Sequence, residues 1–112
     1  MKNILILAIV LFAGCGTPPK STIDPNIIVD STYSSISKNI LNKSCINCHG
    51  QSGGYSYESY NNTIRSVSPG FPDSSPMYLA LKSGRMPQVG PKLSDQQLQS
   101  VKNWISNGAK ND

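Results

Sequence analysis

The chain has 112 residues, a formal net charge of +4 and a charged fraction of only 14%. That length allows one small domain, and so thin a scatter of charge, with no clustered basic face, argues against nucleic acid as a partner. Large apolar residues are few, and a chain this small with a thin core commonly needs a staple.

Met1-Lys2-Asn3 gives a short positive start, and Ile4 to Ala13 is an almost unbroken apolar run. The run falls short of the about 20 residues that a membrane-spanning helix needs. It fits the apolar region of a secretory signal, so residues 1–14 are expected to be removed on export. Leu11-Phe12-Ala13-Gly14-Cys15 resembles a bacterial lipobox, in which the chain is cut before a cysteine carrying diacylglycerol; Phe12 stands where leucine is usual. Cys15 is therefore the expected lipid attachment point and membrane anchor, the alternative being an ordinary signal cut nearby that leaves Cys15 a plain thiol. Gly16 stands where an aspartate would mark retention in the inner membrane. The expected location is the periplasm or cell surface, with the outer membrane open as the destination. Removing 14 of the 112 residues, Lys2 among them, leaves 98 with a formal charge of +3.

Residues 15–30 hold Pro18, Pro19 and Pro25 among polar side chains and read as a flexible tether behind the lipid. The domain proper is then 31–112. Ser31 to Ser44 reads as its first helix, capped by Ser31 or Thr32, with Tyr33, Ile36, Ile40 and Leu41 as the apolar stripe. The helix leads directly into Cys45, so its register aims that residue and its neighbours.

Cys45-Ile46-Asn47-Cys48-His49 reads C-x-x-C-H, the attachment signature of c-type heme. Two thiols at this spacing, Cys45 and Cys48, match the two vinyl groups of one heme and form thioethers with them. The adjacent His49 is then placed to bind the iron from one side. C-x-x-C alone also suits a redox disulfide or half a zinc site. A redox motif of the thioredoxin type wants a strand–helix alternation that is missing around Cys45. A zinc site wants four ligands, and Cys15 is claimed by the anchor, which leaves three. Heme attachment takes place outside the cytoplasmic membrane, so the export signal and the pentapeptide agree on the compartment. The heme is also the staple that a thin core wants, and its two propionates lower the net charge to about +1.

Gly50-Gln51-Ser52-Gly53-Gly54 comes next, a small-sided loop that suits close backbone approach to a heme face or simple flexibility. Tyr57, Tyr60, Ile64 and Val67 space a short amphipathic helix within 55–67, whose tyrosines either pack or donate to a propionate. Ser68 to Asp73 reads as a turn, and Ser74 or Ser75 caps a helix with Pro76 in its first turn. Met77, Leu79, Ala80 and Leu81 carry that helix to Lys82, and Ser83-Gly84 closes it.

Gly84 to Pro91 is a loop with Gly and Pro at both ends and Met86 inside, stiffened by Pro87. A thioether is a soft neutral ligand for heme iron. The chain holds a single histidine, so a second histidine ligand within one molecule is excluded and Met86 is the expected sixth ligand. Met77 lies among helical leucines, where methionine usually fills core. Ser94 with Gln97 forms a capping box, Leu98, Val101, Trp104 and Ile105 stripe the last helix, and Asn107-Gly108 ends it. Trp104 is expected to pack on the first helix beside the heme edge.

Cys45-x-x-Cys48-His49-Gly50, Ser75-x-x-Tyr78, Arg85-Met86-Pro87, Leu93-Ser94 and Trp104-Ile105-x-Asn107-Gly108-Ala109 together resemble small mono-heme c-type cytochromes of class I. The resemblance covers about Ser31 to Ala109. It implies an all-α cytochrome c-like fold, with N- and C-terminal helices crossing around one covalent heme c, and His49 and Met86 as axial ligands. It also implies a one-electron carrier between redox proteins, not an enzyme, taking no small-molecule substrate; the membrane anchor is expected from Cys15. The alternative is a heme-based gas sensor or peroxide-reducing domain with a labile sixth ligand.

Overall fold

In a computed structural model, residues 20–46 and 54–112 are described; the expected signal segment, Cys15, Cys48 and His49 lie outside them. Every regular element among the described residues is a helix. Helix α1 spans Tyr33–Ile36 and continues as a π-helix over Ser37–Cys45. Helix α2 is Tyr60–Thr63, extended by a 3-10 turn at Ile64–Ser66. A second 3-10 turn at Pro72–Ser74 precedes α3, Pro76–Lys82, and α4 is Asp95–Ser106.

Helix α4 is built as the sequence directs. The Ser94 hydroxyl accepts from the Gln97 amide at 3.2 Å, and the Gln97 carboxamide oxygen accepts from the Ser94 amide at 3.0 Å, a reciprocal cap. Val101, Trp104 and Ile105 bury its apolar stripe. Its far end closes with Gly108 N–H on Ile105 O at 3.0 Å and Ala109 N–H on Trp104 O at 2.9 Å, with Gly108 at φ +104° where a side chain would strain.

The first helix departs from the α-helix expected over Ser31 to Ser44. Thr32 caps it as expected, its hydroxyl accepting from the Ser35 amide at 3.2 Å, but the helix widens after Ile36 to i→i−5 bonding. The change has a packing consequence. At ~100° per residue, an α register would turn Cys45 to the side opposite Ile36. The wider turn stacks residues four and five apart, so Ile36, Ile40, Leu41 and then Cys45 gather toward one face. Ile36, Ile40 and Leu41 are fully buried, and Cys45 packs half-buried on the same core.

Two other expectations shift. Tyr57 is buried but precedes its helix, which starts only at Tyr60 because Ser59 caps it, accepting from Asn62 N–H at 3.2 Å. In α3, Tyr78 is buried beside Met77 and Leu81, whereas Leu79 is exposed. Ser75 precedes α3 without capping it: its buried hydroxyl donates to Phe71 O and accepts from Ser68 N–H, each at 2.9 Å, tying the turn together.

The first and last helices pack against each other, with the Tyr33 ring 6.0 Å from that of Trp104 and edge-on to Tyr60 at 5.2 Å. The residues after α4 lace this region: Trp104 Nε1 donates to Lys110 O at 2.8 Å, and Tyr60 Oη donates to Ala109 O at 2.7 Å. Asp112 takes the first N–H groups of α1, its carboxylate accepting from Tyr33 at 2.9 Å and its backbone oxygen from Ser34 at 2.9 Å. A carboxylate there also meets the positive end of the helix dipole.

The described part of the expected tether, 20–30, is no free linker. It has no regular structure, but Ile23 and Val29 are sunk in the core at 2% and 1% exposure. Its backbone is bound by α4. Gln97 Nε2 donates to Asp24 O at 2.8 Å and Ile27 O at 3.0 Å. Gln96 pairs with both polar groups of Val29, accepting from its N–H at 3.1 Å and donating to its carbonyl at 2.9 Å. The reason is the thin core: two apolar side chains gain by covering it, and buried backbone then needs partners.

Candidate functional site

Of the expected site residues, Cys45 and Met86 lie in the described chain; Cys48, His49 and Cys15, the expected lipid attachment point, fall outside it. Cys45 is the last residue of the π segment and is half-buried. Beside it stands Tyr57. Burial pushes the Tyr57 phenol above its ordinary value, a hydrogen bond with the Ser66 side chain pulls the other way, and the nearby Cys45 charge adds to the rise. Tyr57 is thus a neutral phenol at physiological pH, set against the first residue of the C-x-x-C-H motif. The tyrosine spacing pointed to a helix face; only the fold brings Tyr57 to Cys45.

Met86 lies in the loop after α3. Gly84 turns the chain at φ +75°, Met86 N–H donates to Ala80 O at 3.1 Å, and the side chain packs half-buried on the same core as Cys45. The Met86–Pro87 peptide is cis, and Pro87 is buried. Met77, by contrast, is 4% exposed inside α3 and fills core, as its helical setting implied. The two methionines differ in setting: Met77 is buried within a helix, and Met86 is half-buried in a loop.

The far side of the Met86 loop is held by residues the sequence did not single out. Ser21 N–H donates to Val89 O at 2.7 Å. Thr22 reaches the other way: its N–H and its hydroxyl both donate to Lys43 O, at 3.0 and 2.7 Å, just before Cys45. The one available signal was Ile23, an apolar residue isolated in a polar run.

The donor set fits heme c in kind. Two thiols, one imidazole and one thioether are what a covalent, six-coordinate heme takes up, and the two described members, Cys45 and Met86, both lean on one core cluster. Among the described residues, no group of three or more His, Cys, Asp and Glu could hold a bare metal ion. No described helix is long and apolar enough to cross a membrane. Comparison with known proteins gives no match to a family model, a curated sequence or a solved structure.

Proposed function

We propose that the chain is an exported, lipid-anchored mono-heme c-type cytochrome that passes one electron at a time between redox proteins outside the cytoplasmic membrane. The observation that carries this is the pentapeptide Cys45-Ile46-Asn47-Cys48-His49, with a lone loop methionine later in the chain. In this reading Cys45 and Cys48 hold the heme covalently, and His49 and Met86 take the two axial positions. The heme supplies a one-electron iron couple. The protein supplies attachment, orientation and a dry pocket.

Each residue has a part. The π register turns Cys45 inward, so attachment at that thiol directs the heme toward the core rather than into solvent. Tyr57, neutral and buried beside Cys45, adds no charge to that wall. Met86 fills the last position and so keeps small molecules from the iron, which favours electron transfer over catalysis. The Tyr33–Trp104 contact between the first and last helices supports the crossing-helix arrangement of a cytochrome c-like fold.

Replacing Cys45 and Cys48 together by alanine tests this. The variant is expected to lose covalent heme and, with it, much of its helicity, since the heme completes a thin core. A doubly substituted protein with wild-type helicity and wild-type visible spectrum would refute the reading.

A further inference from the structure

Residues 20–23 run between the two stretches that the proposed function brings to one heme. On one side Ser21 N–H binds Val89 O at 2.7 Å. The fit there is tight: Gly90 sits at φ +91°, and a Cβ on it would stand 2.9 Å from both Ser21 N and Ser21 O. On the other side Thr22 spends two donors on Lys43 O, near the end of the π segment. Behind these contacts Ile23 is buried in the core, and Gln96, Gln97 and Ser100 of α4 hold the backbone from Asp24 to Val29. The strap is thus fixed along its length, and its Ser21–Thr22 end touches both the Met86 loop and the Cys45 helix.

We propose that residues 20–30 are a clamp that fixes the Met86 loop against the Cys45 end of α1 and so sets how firmly Met86 stays on the iron. The ligation half rests on the cytochrome reading above; the mechanical half does not. The loop is pinned at its start by Met86 N–H on Ala80 O and at its far end by Val89 O on Ser21. Releasing the second pin returns backbone freedom to the residues between, and a loop free to move lets its methionine leave the iron more often. Gly90 and Thr22 are then positioning residues: neither touches the heme in this scheme, and both act through Met86.

The test is a comparison of glycines in the full-length, heme-loaded protein. Gly90→Ala meets Ser21, whereas Gly84→Ala, also at positive φ (+75°), has nothing within 4 Å of its new Cβ. Both carry the strain of the left-handed backbone; only the first strikes the strap. Amide hydrogen exchange is expected to rise about tenfold or more at Ser21 and at Met86 in Gly90→Ala and to stay near wild type at both in Gly84→Ala. Imidazole binding to the ferric form, which needs Met86 to leave, should quicken by a similar factor in Gly90→Ala and not in Gly84→Ala. Thr22→Val, a milder change at the other contact of the strap, should reproduce the effect, and Thr22→Ser, which keeps the hydroxyl on Lys43 O, should behave as wild type.

Equal exchange in Gly90→Ala and Gly84→Ala, or a Thr22→Val variant whose Ser21 amide loosens while its Met86 amide does not, would overturn the clamp. A wild-type protein without heme, or without a methionine–iron band, would instead refute the cytochrome reading, and the exchange comparison would still decide the clamp.

Discussion

Gln97 joins the last helix to the strap, and its removal has a size that the structure fixes. The residue is fully buried and its side chain makes three hydrogen bonds: it accepts from Ser94 N–H at 3.0 Å and donates to Asp24 O at 2.8 Å and Ile27 O at 3.0 Å. In Gln97→Ala, Asp24 O keeps the Ile27 N–H at 3.2 Å, while Ile27 O loses the donor that Gln97 gives it. At about 1 kcal/mol net for each of the three bonds, the change should cost about 3 kcal/mol. For a domain of this size that corresponds to a fall in Tm on the order of 10–20 °C. Gln97→Glu sharpens the point. A carboxylate can still accept from Ser94 N–H, but it faces the Asp24 and Ile27 carbonyl oxygens with negative charge and no donor. At neutral pH it should cost at least as much as alanine, and the deficit should shrink on acidification as the new carboxyl regains its proton and one donor. Urea denaturation of the heme-loaded protein across pH measures both. A loss below about 0.5 kcal/mol for either variant at neutral pH would show that the strap is not held as described.

Met86→Ala should abolish the weak ferric charge-transfer band of methionine ligation, lower the reduction potential and open the ferrous iron to carbon monoxide, as spectroscopy and redox titration can check. Met77→Leu, a volume-conserving change in α3, should keep the band and cost under about 1.5 kcal/mol. Cys15→Ser should move the protein from the membrane to the soluble exported fraction, since a single lipidated cysteine is the expected anchor; fractionation reads this directly. Tyr57, held above its ordinary phenol value by burial, favours the neutral form in the folded state. Its contribution is present below the unfolded value of about 10 and is lost as pH rises from there through the native value. Tyr57→Phe should therefore reduce the alkaline loss of stability seen in denaturation curves above that pH.

What could be read from the sequence was local. The Ser94–Gln97 box, the Val101–Trp104–Ile105 stripe and the Gly108 stop each depend on residues within a few positions, and the structure has all three. The same holds for the contrast between Met77 in a helix and Met86 in a Gly- and Pro-bounded loop. The strap was illegible because its partners lie far along the chain. Val29 and Gln96 stand 67 residues apart, and Asp24 and Gln97 stand 73 apart. Ile23 stands alone among polar residues, and within Ile27-Ile28-Val29 the local sequence does not pick out Val29 as the buried member, while Ile27 and Ile28 are exposed. The π register was hidden for a different reason. Ile36, Ile40 and Leu41 satisfy an α stripe nearly as well as a π one, and what distinguishes the two is where Cys45 ends up. Gln97 shows both cases in one side chain: its cap was visible three residues away, and its hold on the strap was not.

The central claim is tested most directly by the visible spectrum of the exported protein in alkaline pyridine after acid–acetone extraction. A covalent heme c is predicted to remain with the polypeptide through extraction and to give the reduced hemochrome of a heme whose two vinyls are saturated. A protein that yields its heme to the extraction, or that carries none and joins Cys45 to Cys48 in a disulfide, would contradict the account.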